Sequence, residues 1–267
     1  MAEATPQTGW ASFVSLSVTG TISSTNEATI PAGTPWSFEL VYNTDAPDRD
    51  TELTGSADPT FGRFTNTGAP PALNFFHYQA GSYNVTLDDP TDYSTGSEIH
   101  VTFTTVHALD VNIHAPTFFP QLGGGPVSFH ADFNAFSAAP VFASDALPTN
   151  TALSPASFDQ STVTLLPPAG VISGSELTSL TLRVLTPGDT SRDGSVDLTD
   201  FGVLKAHFGG TGGWAAGDFD GNGAVDLSDF GLLKANFGQA PAAVPEPAAW
   251  LLIALAVLGC WPAMRRR

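Results

Sequence analysis

Val127-Ser-Phe-His-Ala-Asp-Phe133 alternates in character over seven positions, with Phe129 and Phe133 on one side and His130 and Asp132 on the other. A period of two is the mark of a half-buried β-strand, because successive side chains leave a strand on opposite faces. The same pattern recurs on either side. Residues 13–22 are β-rich, and Trp36-Ser-Phe-Glu-Leu-Val-Tyr42 places Trp36, Phe38, Leu40 and Tyr42 on one face. Residues 83–87 and 99–105 alternate, and 162–165 and 180–185 close the series. Pro- and Gly-rich turns separate these runs, and residues 1–187 contain no helix-period segment of useful length. Many short strands with such breaks predict a mainly β chain whose residues 1–187 form an antiparallel β-sandwich, jelly-roll-like, large enough for one sizeable core.

Charge narrows the partners. The 267 residues carry 26 acidic against 9 basic side chains, a formal net charge of −17. So acidic a surface repels nucleic acid and anionic membrane and suits a soluble exterior. The single cysteine, Cys260, lies in an apolar tail, so the rest of the chain has no disulfide framework. Within residues 1–187, Asp45, Asp48, Asp50 and Glu52 form one acidic cluster and Asp88, Asp89 and Asp92 another, while Asp132 stands beside His130. The first two fall in turn-type sequence, where acidic residues cap and solvate. A glycosidase needs two carboxylates about 5–9.5 Å apart. His100, His107 and His114 recur every seven residues, which on one strand would turn His107 away from the other two and argues against zinc.

Beyond residue 187 the pattern changes. Asp189-Thr-Ser191-Arg-Asp193-Gly194-Ser195-Val196-Asp197-Leu-Thr-Asp200 returns, offset from 189 to 218, as Asp218-Phe-Asp220-Gly-Asn222-Gly223-Ala224-Val225-Asp226-Leu-Ser-Asp229. Oxygen-bearing side chains stand at positions 1, 3, 5, 9 and 12, glycine at 6, and Ser195 and Ala224 offer a backbone carbonyl at 7. That is the ligand order of a twelve-residue calcium loop, since Ca²⁺ takes six to eight oxygens at roughly 2.3–2.6 Å. Two Ca²⁺ ions are expected. Asp replaces the usual Glu at position 12, so the following helix must bring the shorter side chain inward. Val196 and Val225, at position 8, are expected to pair and hold the loops together.

The repeat extends past the ligands. Gly188 matches Gly217, and Asp200-Phe-Gly-Val-Leu-Lys-Ala-His-Phe-Gly209 matches Asp229-Phe-Gly-Leu-Leu-Lys-Ala-Asn-Phe-Gly238. Phe201, Leu204 and Phe208 share a helical face, as do Phe230, Leu233 and Phe237. The run 180–185 before the first loop reads as a strand, so no entering helix precedes it. Loop then helix, twice, resembles a type I dockerin module over residues 188–239. The resemblance implies folding nucleated by calcium and docking to a cohesin-like partner. Cohesin-docking members often carry Ser-Thr at loop positions 10 and 11, where this chain has Leu198-Thr199 and Leu227-Ser228.

The C-terminus carries a third signal. Residues 240–247 form a Pro/Ala-rich linker containing Pro245, Glu246 and Pro247, followed by an uncharged run, Ala248 to Met264, and three arginines. Seventeen helical residues span about 25 Å, close to a ~30 Å hydrocarbon core, so 248–267 reads as a transmembrane helix with a basic tail. The arginines would stay cytoplasmic. These three parts in order resemble a PEP-CTERM sorting signal, which implies export and cleavage by an exosortase-type membrane transpeptidase. The N-terminal residues show no basic and apolar leader, so the natural start is expected upstream.

Together these readings predict an exported calcium-binding protein of the cell surface or matrix, held in the membrane by its C-terminal helix before processing. Its sandwich would bind polysaccharide or protein. The alternative is a dockerin-bearing glycoside hydrolase or accessory subunit.

Overall fold

A computed structural model describes residues 12–26, 30–51, 55, 58–66, 70–94, 96–104, 106–115, 127–136, 141–149, 151–166, 171–174 and 176–240. Twelve strands among them form two antiparallel sheets. The first holds β1 (Phe13–Thr21), β3 (Pro35–Asn43), β5 (Leu73–Ala80), β6 (Tyr83–Leu87) and β12 (Glu176–Val184), in the order β12-β1-β3-β5-β6. The second holds β2 (Ser24–Thr25), β4 (Phe61–Thr65), β7 (Glu98–Phe103), β8 (His107–Ala115), β9 (Val127–Ala135), β10 (Gln160–Leu166) and β11 (Ile172–Gly174). Its order is β2-β11-β10-β9-β8-β7-β4. Strands β7 to β11 are therefore a plain up-and-down meander, unlike the paired Greek keys of a jelly roll. Two short helices follow, α1 (Leu198–His207) and α2 (Leu227–Asn236).

Alternation explains the main core. From β9, Phe129, Ala131 and Phe133 are buried, and their partners across the sheets include Leu16, Phe38, Leu40 and Phe76. Phe129 is the hub, with ring centroids 5.0 Å from Phe38 and 4.7 Å from Phe76. Each such side chain removed from water contributes about 1.5–3 kcal/mol. The buried Tyr42 hydroxyl donates to the Pro148 carbonyl at 2.5 Å, tying the segment 141–149 to the first sheet.

The first sheet breaks the alternation at one end. Phe13 to Leu16 in β1, Leu40 to Asn43 in β3 and Leu73 to Phe76 in β5 are buried without interruption. These adjacent strands are covered on both faces there, so both sets of side chains are apolar or enclosed. The outer cover is the loop-helix repeat. Phe13, Val41 and Phe75 join Leu185, Val196, Leu204, Trp214, Phe219, Val225 and Leu233 in a second, separate core.

No helix among the described residues is long and apolar enough to cross a membrane. The expected span at 248–267 and the Pro245-Glu246-Pro247 motif lie outside the described residues, as does Glu52.

Candidate metal centre

Each acidic loop folds around its first and last carboxylates. In the first loop, Asp189 Oδ1 accepts from the Asp193 amide at 3.1 Å and from Ser191 Oγ at 3.2 Å. Its Oδ2 accepts from the Gly194 amide at 2.9 Å. In the second, Asp218 Oδ1 accepts from the amides of Gly221 and Asn222 at 2.9 and 3.1 Å, and Oδ2 from Gly223 at 2.9 Å. The loop thus curls about its position-1 side chain, and the position-6 glycine turns its N–H inward.

Position 12 closes the ring. Asp197 and Asp226 are the N-caps of α1 and α2, accepting from Thr199 and Ser228 amides at 2.7 Å each. Asp200 and Asp229 complete the capping boxes, each accepting from the cap residue's amide at 2.9 Å through Oδ2. Their other oxygens reach back across the loops. Asp200 Oδ1 accepts from the Ser191 amide at 3.1 Å and Thr190 Oγ1 at 3.0 Å, and Asp229 Oδ1 from the Phe219 amide at 2.7 Å. The first helical turn therefore delivers the short Asp inward, as the sequence requires. Position 5 is similar in both copies: Asp193 accepts from Ser195 and Asn222 from Ala224, at 2.7 and 2.8 Å.

Four of these carboxylates, Asp189, Asp200, Asp218 and Asp229, are 1 % exposed or less. Carboxylate oxygens of Asp218, Asp220 and Asp229 lie within 4.8 Å of one another, and no other such acidic, His or Cys trio occurs among the described residues. In the first copy Ser191 stands where Asp220 does in the second, so a hydroxyl replaces one carboxylate. Burial pushes the carboxyls of Asp189 and Asp229 up and that of Asp218 up to about 7. Among the described residues no cation pairs with Asp218 or Asp229, while Asp189 has Arg183 at 3.9 Å. Buried carboxylates gathered without a countercharge are costly, and a divalent cation held by oxygens resolves the cost. The donor set suits a hard ion.

The two copies interlock. Val196 exchanges backbone hydrogen bonds with Gly238 and Gln239, and Val225 with Gly209 and Gly210. The position-8 valines thus bond through their backbones to the chain after the other copy's helix, and their side chains both lie buried in the second core. The matched glycines follow the same exchange. A Cβ on Gly188 would lie 3.0 Å from Leu233 Cα, and one on Gly217 would lie 3.2 Å from Leu204 Cα. Each glycine lets the chain just before one loop rest directly on the other copy's helix. Leu204 and Leu233 are buried, whereas Phe208 and Phe237, beyond the helix ends, are about half exposed. Phe201 and Phe230 meet at 6.1 Å between ring centroids.

The sequence model of the dockerin type I domain matches residues 187–238. Dockerin domains bind calcium, and the match spans both loops and both helices. No curated protein and no solved structure matches the chain. Within the dockerin region, the position-10 leucines Leu198 and Leu227 are each 74 % exposed, a symmetric pair on the free side of the helices.

The other candidates serve structure. Asp48 accepts from the amides of Asp50 and Arg63, and Asp50 accepts from that of Asp58, which staples the turn before β4. Asp89 and Asp92 cap a short 3-10 turn at Pro90–Asp92. The three regularly spaced histidines separate: His100 lies on β7, and His107 and His114 on β8. His107 is buried and accepts from the Phe142 amide, whereas His100 pairs with Glu98 at 3.0 Å and His114 with Ser128 at 2.9 Å.

One residue escaped the sequence reading. Asp110 on β8 sits directly opposite Asp132 on β9. Burial and the neighbouring Asp132 push its carboxyl up to about 6. The two residues are a directly opposed cross-strand pair, and such pairs stand about 4.5–5.5 Å apart at Cβ. The signal was present in His107-Ala-Leu-Asp-Val-Asn-Ile-His-Ala115, which alternates as cleanly as β9.

Proposed function

We propose that the chain is an exported calcium-binding protein of the cell surface or matrix, carrying two Ca²⁺ ions in its dockerin region. The observation that carries this reading is the pairing of two interlocked loops, each with buried carboxylates at positions 1 and 12. Asp189, Ser191, Asp193, Asp197 and Asp200, with the Ser195 carbonyl, form the first ligand set. Asp218, Asp220, Asn222, Asp226 and Asp229, with the Ala224 carbonyl, form the second. The dockerin match supports assembly onto a cohesin-like partner. It also agrees with an extracellular location.

The tail carries the sorting part of the proposal. Pro245-Glu246-Pro247, the apolar run and the three arginines would hold the chain in the membrane until an exosortase-type transpeptidase cuts near the motif. The sandwich then serves as the outward part, binding polysaccharide or a neighbouring protein. Changing Pro245 and Glu246 to Ala should leave the full-length form in the membrane fraction of the native host. Release of the variant at the wild-type rate would refute the sorting reading. Incubation with soluble and insoluble polysaccharides, scored for depletion and for reducing sugar, separates binding from hydrolysis. Sugar release would favour the hydrolase alternative.

A further inference from the structure

The two calcium loops differ at position 4, and the difference points at the sandwich. The second loop has Gly221 there, with φ +72°. The first has Arg192 at φ +62°, the single non-glycine residue with positive φ among the described residues. A left-handed backbone is unfavourable for a residue with a Cβ, and such outliers persist where the side chain is held by its surroundings. Arg192 is so held. Its guanidinium lies 3.8 Å from the centroid of the Phe75 ring, its Nε donates to Glu39 Oε1 at 3.1 Å, and Nη1 donates to the Thr190 carbonyl at 3.0 Å. Phe75 and Glu39 belong to β5 and β3, on the outer face of the first sheet.

Two further contacts bind the same loop to the same face. Trp214 is fully buried, with its ring 4.8 Å from Phe13 of β1, and its Nε1 donates to the Asp189 carbonyl at 2.7 Å. Arg183 of β12 donates to the Arg192 carbonyl and stands 3.9 Å from Asp189 Oδ2. The backbone and side chain of the first ligand are thus both in contact with groups anchored on the sandwich. The second loop has no hydrogen bond or ion pair to the sandwich among the described residues; its Phe219 lies in the shared second core, with its ring 5.1 Å from Trp214.

We infer that the outer face of the five-stranded sheet is a positioning surface for the first calcium site, so that calcium in that loop and docking of the dockerin region on Phe13, Val41 and Phe75 strengthen each other. The inference rests on calcium filling the first loop, as proposed above. The physical basis is linkage: if the docked arrangement holds Asp189 and Arg192 in the metal-bound geometry, calcium strengthens docking by the same factor as docking strengthens calcium, and a change that undocks the region weakens calcium by up to that factor. The second site, lacking these contacts, responds less. The two sites are then unequal although their sequences repeat.

The test is calorimetric titration of calcium into the full chain, wild type against Phe75→Ala. Phe75 lies on the outer face of β5, on the opposite side of the sheet from the Phe129 core and outside it, and the substitution changes no charge. The expected result is one of the two sites weakened about fivefold or more, the lower end of typical coupling between sites, with the other within about twofold. Phe75→Leu, which keeps the apolar volume and removes only the ring beneath the guanidinium, should weaken the same site about two- to fivefold. It decides the question if Phe75→Ala does not fold. Unchanged affinities, or equal loss at both sites, would overturn the coupling and leave the calcium reading standing. Absence of calcium binding by the wild type would overturn both.

Discussion

Trp214→Ala should separate the dockerin region from the rest of the molecule. Trp214 is fully buried, and its ring touches Phe13 at 4.8 Å and Phe219 at 5.1 Å. Truncating a tryptophan so placed costs about 3–5 kcal/mol. The lost bond from Nε1 to the Asp189 carbonyl adds about 1 kcal/mol. A core as small as that of this region rarely supplies more than about 3–5 kcal/mol, so the loss is comparable to all the stability available without metal. Because folding is linked to the binding of two calcium ions, each 1.4 kcal/mol lost from the folded state demands about three times more calcium to restore it. A loss of about 4 kcal/mol therefore moves the calcium midpoint by roughly 30-fold. Far-UV circular dichroism during a calcium titration of the full chain follows the helical signal of α1 and α2 directly. The sheet signal should persist throughout, since the Phe129 core shares no residue with the second core. Trp214→Phe, which keeps a ring but not the N–H, should fall between. A Trp214→Ala chain that gains its helix signal at the wild-type calcium concentration would refute the reasoning.

Two other outcomes follow from the geometry. Gly217→Ala forces a Cβ to 3.2 Å from Leu204 at φ +107°, so the calcium midpoint should rise by an amount equivalent to about 1–2 kcal/mol. An unchanged midpoint would show that the copies are not seated on each other as described. Asp110 binds its proton more tightly in the fold than in the unfolded chain, so its contribution is most favourable in acid and is lost as pH rises through about 6. Asp110→Asn should therefore raise the sandwich's Tm over wild type at pH 7.5, with the gap closing towards pH 4; a gap independent of pH would contradict that.

Much of this molecule was legible where one face of an element meets water. Strands β3, β6 and β9 show a clean apolar alternation, and the structure places their inner residues in one core. The calcium loops were legible because coordination fixes residue type position by position. Strand β5 was not, because Leu73-Asn-Phe-Phe-His-Tyr is enclosed on both faces at its start, and burial by the dockerin region erases the alternation. The same hidden contact explains Phe13 and Val41. Helical spacing grouped Phe208 with Leu204, yet the helix ends at His207 and Phe208 turns outward. Arg192 gave no sign in sequence. Its role depends on a left-handed backbone and on a sheet more than a hundred residues away along the chain.

The most direct test of the central claim counts the ions. Native mass spectrometry of the full chain in calcium should show two bound ions on the wild type, and one fewer on Asp189→Asn and on Asp218→Asn, each of which removes the carboxylate about which one loop curls. A wild type that carries no calcium, or substituted chains that keep both ions, would contradict it.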